Sequence, residues 1–133
     1  PPRSTLFPYT TLFRSLVVMA GGETTVTIRG KGKGGRNQEM ALAFLVELSR
    51  IDQADAKGIR FLASSTDGND GPTDAAGAFA SSVLLEAAHA KGLRMENALA
   101  DNDSYAFFDS IDGLLRSGPT NTNVCDIQFV LVE

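Results

Sequence analysis

Short apolar or alternating runs and stretches of helical period take turns along this chain. Residues 16–20 (LVVMA) are apolar and β-branched over strand length, which predicts a buried strand. Gly21 and Gly22 mark a turn, and residues 24–29 then alternate threonine with valine and isoleucine. That alternation predicts a strand with one wet face, paired with the first as a hairpin. Beyond a glycine-rich loop, Asn37 is placed to cap a helix running to about Arg50. Met40, Ala41, Phe44, Leu45 and Leu48 fall at helical spacing on one face of it.

Residues 52–58 read as polar connection, and 59–64 (IRFLAS) as a second apolar strand. A small-residue helix is predicted over 75–91, with Phe79, Val83, Leu84 and Ala87 on one face and Gly92 as its stop. Residues 94–100 predict one or two helical turns, and Asp103 caps a short helix over 104–110. A Gly/Pro/Thr/Asn loop at 117–123 leads into a closing strand at 125–132. Strands alternating with helices predict an α/β domain, layered α/β/α, its sheet mixed because of the hairpin.

At 133 residues the chain is one domain's worth, long enough for a real core. A formal net charge of −4 argues against broad nucleic-acid or membrane-surface binding, so the local basic loop stands out. The single cysteine, Cys125, excludes an intrachain disulfide and a multi-cysteine metal site, and fits a reducing cytoplasm. At the head of a strand it reads as a packing residue. No run approaches the roughly 18 apolar residues of a membrane span. Residues 5–15, TLFPYTTLFRS, resemble the in-frame translation of a sequencing adapter. Residues 1–15 are therefore set aside as a non-native leader and the domain as 16–133, with the gene truncated upstream of Leu16.

Three loops carry chemistry. The first holds four glycines, Lys31, Lys33 and Arg36 between a predicted strand and a predicted helix. Glycines free the backbone to turn N–H groups toward one point, and a helix N-terminus adds a positive dipole end. Lys31, Gly32, Lys33, Gly34, Gly35 and Asn37 are the candidate phosphate or carboxylate contacts, with Arg36 as a solvent-facing loop guanidinium among them. Gly30, Gly32 and Gly35 also satisfy G-x-G-x-x-G, so a dinucleotide fingerprint competes, although threonines suit a doubly buried first strand poorly. A solvated loop with no ligand is the plain alternative.

The second loop places Asp67, Asp70 and Asp74 within eight residues after a predicted parallel strand. Asp67 and Asp70 are candidate metal partners, and Asp67 a candidate base; Asp74 reads better as a helix cap. In the third loop Thr120, Asn121 and Asn123 can cradle a polar ligand or hold their own turn. His89, late on a predicted helix, reads as a solvated residue.

Taken in this order, GGETTVTIRGKGKGGRNQE, STDGNDGPTDAAGA and SGPTNTNVCDIQ resemble the C-terminal (MOFRL) domain of a family of glycerate kinases. Some of its members bear the older name hydroxypyruvate reductase. The resemblance implies the C-terminal half of a two-domain enzyme. That enzyme transfers the γ-phosphate of ATP, with Mg²⁺, to a hydroxyl of D-glycerate in the interdomain cleft. It implies catalytic roles for Arg36 and Asp67, a lysine from a missing Rossmann-like N-terminal domain, and an inactive fragment here. The competing functions are a non-catalytic anion- or nucleotide-binding module and an NAD(P)H-dependent hydroxypyruvate reductase.

If residues 1–15 are foreign to the fold, deleting them is expected to change stability by no more than about 0.5 kcal/mol. Denaturant melts of the two lengths check this; a large loss would make the leader genuine structure.

Overall fold

A computed structural model of the chain describes residues 15–133, so the leader predicted at 1–15 lies, Ser15 apart, outside the described residues. The elements run β1 (Leu16–Gly22), α1 (Arg36–Leu48), α2 (Gln53–Ala56), β2 (Ile59–Ser65), β3 (Gly77–Ser81), α3 (Ser82–Ala90), α4 (Met95–Ala100), α5 (Ser104–Asp109), β4 (Leu114–Leu115) and β5 (Asp126–Val132). The sheet order is β1-β5-β2-β3-β4, with every pairing antiparallel.

The core lies on one face of this sheet. Phe61 and Ala63 of β2 stand opposite Ala80 and Ala78 of β3, and all four are buried. Small residues there let α1 approach, and Ala41, Leu42, Leu45, Val46 and Leu48 fill the space as one helical stripe. Phe44 stacks on Phe61 with ring centroids 4.3 Å apart. Ala88 of α3, Met95 of α4 and Phe107 and Phe108 of α5 join the same core. The opposite face carries the cross-strand row Met19–Phe129–Leu62–Phe79, none of which belongs to that core. Met19 is 66% and Phe79 40% exposed. The described domain therefore has two layers.

Class α/β stands, with corrections to its parts. The hairpin does not form: β1 runs through Gly21 and Gly22 and pairs along its whole length with β5, as an exposed edge strand. Residues 24–29 are not a strand, because their polar backbone partners lie elsewhere; Asn102 Nδ2 donates to the carbonyl of Thr27, and its Oδ1 accepts from Arg29 N–H. Without a parallel pair the sheet is antiparallel, not mixed, and two layers replace the predicted three.

The predicted helix at 75–91 splits into β3 and α3. A Cβ at Gly77 would fall 1.9 Å from the carbonyl oxygen of Ala63, so this stretch is shaped to lie close against β2. Such pairing overrides helical spacing. Ser81, not Asp74, caps the helix that follows, its hydroxyl accepting from Leu84 N–H. Cys125 is exposed with φ +67°, at a bend rather than in packing.

Phe61→Ala is expected to cost about 3–5 kcal/mol and Phe79→Ala about 1 kcal/mol, since only the first empties the core. Equal costs in denaturant melts would mean that a further layer covers the Phe79 face.

Candidate active site

The first part of the glycine loop, residues 29–33, spends its amides inside the chain. Arg29 and Gly30 donate to Asn102 Oδ1 (2.6 and 2.9 Å), and Lys31 to Asp101 Oδ1 (2.9 Å). Gly32 donates to the Asp101 carbonyl (2.8 Å), and Lys33 to Asp103 Oδ1 (3.1 Å). Cβ atoms at Gly30 and Gly32 would fall 2.2 Å from the Asp101 carbonyl oxygen and 2.4 Å from Asp103 Cβ. These glycines thus serve a close approach to residues 101–103, which removes the ground for a dinucleotide fingerprint. The Lys33 ammonium sits 4.4 Å from the centre of the Tyr105 ring.

The N-terminus of α1 is also filled from within. Gly35, not Asn37, precedes the helix, and Arg36 is its first residue. The fully buried carboxylate of Asp70 accepts from Asn37 N–H (3.1 Å) and Gln38 N–H (2.8 Å), a cap supplied across the fold. Asn37 Nδ2 donates to Asp70 Oδ1 (3.2 Å), while Gln38 Nε2 donates to the Asp70 carbonyl (3.2 Å) and Thr73 Oγ1 (2.9 Å). A Cβ on Gly35 would fall 2.3 Å from Asp70 Cγ, so only glycine admits this carboxylate. Two sequence-based expectations yield here. Asp70 has both oxygens committed in the interior and is no metal partner; Asn37 is buried behind it and is no ligand contact.

Arg36 is not a solvated loop arginine. Its Nε and Nη2 donate to Asp126 Oδ2 and Oδ1 at 2.6 and 2.8 Å, and Asp126 is only 2% exposed. Burial pushes the Asp126 carboxyl up, but the hydrogen bonds from Arg36 and its charge outweigh it and hold the group below its ordinary range. The same bond raises Arg36. Asp126 lies inside the third segment, SGPTNTNVCDIQ, without a role assigned to it there; the further signal was a charge leading an apolar strand, a residue that must find a buried partner.

The second and third loops meet beside this pair. Asp67 Oδ1 accepts from Asn69 N–H (2.9 Å) and Ser65 Oγ (2.8 Å), and these bonds, the amide first, lower its pKa. Arg36 adds to that lowering through its charge. Thr120 donates N–H to the Asp67 carbonyl (3.2 Å) and Oγ1 to the Thr66 carbonyl (2.5 Å). Asn123 Oδ1 accepts from Cys125 N–H (2.9 Å), and Asn121 takes the left-handed conformation at φ +59°. Thr120 and Asn123 therefore hold their own loop. Arg36, Gly34 and Gly35 line an open cavity of about 460 Å³ with Glu23, Thr24 and Pro72. Lys31 and Lys33 are not in its lining, and Asp74 stands apart with Tyr105 and Arg116.

The Arg36–Asp126 pair carries a pH dependence. Because the folded pKa of Asp126 is depressed, the pair's contribution is present above the ordinary carboxylate value of about 3.9 and lost as pH falls through the lower folded value. Asp126→Asn is expected to cost about 1.5–3 kcal/mol near neutrality, the scale of a hydrogen bond to a charged group. Its melting midpoint should then fall less steeply in acid than the parent's. Parallel curves for the two proteins would contradict this.

Residues 16–126 match the family described as the MOFRL family. A glycerate kinase of Danio rerio is 48% identical over 119 residues, covering 86% of this chain and 23% of that protein. A glycerate 2-kinase of Pyrococcus horikoshii is 42% identical over 118 residues, covering 88% of this chain and 26% of that protein. The crystal structure of a Thermotoga maritima glycerate kinase superposes with a TM-score of 0.80 at 39% identity, over 88% of this chain and 27% of that one. The chain thus spans about a quarter of the length of these relatives. By the extent of the match and the shared fold, this chain belongs to the MOFRL family.

Proposed function

We propose that this domain supplies one wall of the active site of an ATP-dependent glycerate kinase. The observation that carries the reading is that Arg36, the first residue of α1, lines an open cavity, with Asp67 near enough for the charge of Arg36 to lower its pKa, in a chain of this family. In the proposed enzyme a Rossmann-like domain of the same polypeptide, lying before this segment, supplies the other wall and a lysine. The γ-phosphate of ATP passes to a hydroxyl of D-glycerate between them.

Phosphoryl transfer depends chiefly on positioning and charge stabilisation, and the residues here suit both. Arg36 offers a guanidinium already held in place, aimed at an anionic oxygen of the phosphate or of the glycerate carboxylate. Asp67 has its pKa lowered by two hydrogen bonds, so it is ionised at neutral pH and a weak proton acceptor. That suits an electrostatic or metal-facing role better than that of a general base. Among the described residues no group of three or more His, Cys, Asp or Glu side chains is placed to hold a metal. Mg²⁺ would be held mainly by nucleotide phosphates and water, with Asp67 as the protein's contribution, and would neutralise phosphate charge. Gly34 and Gly35 line the cavity with Arg36 and complete the anion contacts. No helix of the described residues is long and apolar enough to cross a membrane; a cytoplasmic location is proposed from the single free cysteine.

The test is ADP formation from ATP-Mg²⁺ and D-glycerate by the intact polypeptide, with NADH oxidation by hydroxypyruvate as the competing outcome. Asp67→Asn is expected to lower kcat by about 10²–10³, the scale of a lost electrostatic contact to the transition state. Asp74→Asn, whose partners are Tyr105 and Arg116, is expected to leave it within about threefold, as for surface substitutions. Comparable losses for the two would sink the assignment.

A further inference from the structure

We propose that Asp126 is a positioning residue that sets which edge of Arg36 meets the ligand. The inference rests on the reading of Arg36 as the ligand-facing cation. A guanidinium has five N–H donors in one rigid plane. Asp126 takes two of them, along the edge formed by Nε and Nη2. Three remain: both on Nη1 and the second on Nη2. The second Nη2 proton and one on Nη1 form the end-on edge, which can still fork onto two oxygens of a carboxylate or phosphate.

Both ends of the Arg36 side chain are fixed. Its backbone opens α1, where Asp70 caps the next two amides. Its head is tied to Asp126, which begins β5 in register with Gly22 on one side and Ser65 on the other. The orientation of the guanidinium plane therefore comes from the sheet, not from the ligand. An arginine held this way has lost its rotamer freedom before binding, so the ligand does not bear that cost.

A purely structural ion pair is the competing account, since a buried carboxylate needs a partner in any case. The asymmetry of burial separates the two. The Asp126 side chain is 0% exposed while that of Arg36 remains 28% exposed and lines the open cavity. One edge is anchored in the interior and the other faces the space a ligand would fill. Arg36→Lys would destroy first the planar fork to Asp126.

The experiment uses the intact polypeptide. In ¹⁵N NMR, wild-type Arg36 is expected to show a slowly exchanging Nε–H. That resonance should persist while the Nη signals shift on titration with D-glycerate, Mg²⁺-ATP or inorganic phosphate. In kinetics, Asp126→Asn should lower kcat/KM by about 10–150-fold, the equivalent of one hydrogen bond to a charged group. It should cost little more in an Arg36→Lys background. Asp126→Glu keeps the charge but displaces it by a methylene; it should hold its melting midpoint and still lose kcat/KM. Fully additive losses, wild-type kinetics in both Asp126 variants, a ligand that releases the Nε–H from Asp126, or no Nη shift with any of the three probes would each overturn the proposal. Failure of the kinase reading looks different: a wild-type protein without phosphotransfer, in which the Arg36 resonances still decide the positioning.

Discussion

Burying the charge of Asp70 against the first turn of α1 is the constraint around which the rest of the site is arranged. A carboxylate without water is tolerable only if its oxygens are hydrogen-bonded. Here the helix supplies two amides and Asn37 a third donor. The neighbouring residues follow from that need. Gly35 leaves room for the carboxylate, Gln38 reaches the Asp70 carbonyl and Thr73, and Thr73 Oγ1 in turn donates to that carbonyl. The helix dipole, which in a free N-terminus would draw a ligand anion, is answered inside the protein.

That arrangement moves the candidate anion contact from the helix amides to the Arg36 side chain. With the first helix amides taken by Asp70 and those of residues 29–33 by residues 101–103, the cation left lining the cavity is Arg36. It stands there because a second buried carboxylate, Asp126, holds its inner edge. Two interior acids thus prepare one exterior guanidinium. Charge placed in advance of ligand arrival is what the proposed phosphoryl transfer would draw on for electrostatic stabilisation.

The sheet shows the same division of labour. Its helix-bearing face is built from Phe61, alanines and α1, and needs nothing more. On its other face Met19, Phe129, Leu62 and Phe79 form an apolar row with large exposure at both ends. The segment covers about a quarter of its relatives' length, and this face shows how unevenly its apolar surface is covered within the described residues.

What the sequence determined by itself were the features carried by local pattern. The period of residues 37–48 specifies α1 because one stripe of apolar side chains must be buried together. The apolar runs of β2 and β5, the short helices α4 and α5, and the three chemical loops are legible for the same kind of reason. Tertiary structure decided everything that depends on which distant segment supplies a partner. Residues 24–29 alternate like a strand, yet Asn102 claims their backbone, and β5 claims β1. Residues 77–81, small apart from Phe79, continue a helical spacing, yet the space beside β2 makes them a strand. Asp70 and Asp126 lie 33 and 90 positions from the helix residues they bind. A hydrogen bond of that span leaves no period in the sequence, because its geometry exists only once the chain has closed the loop between its ends.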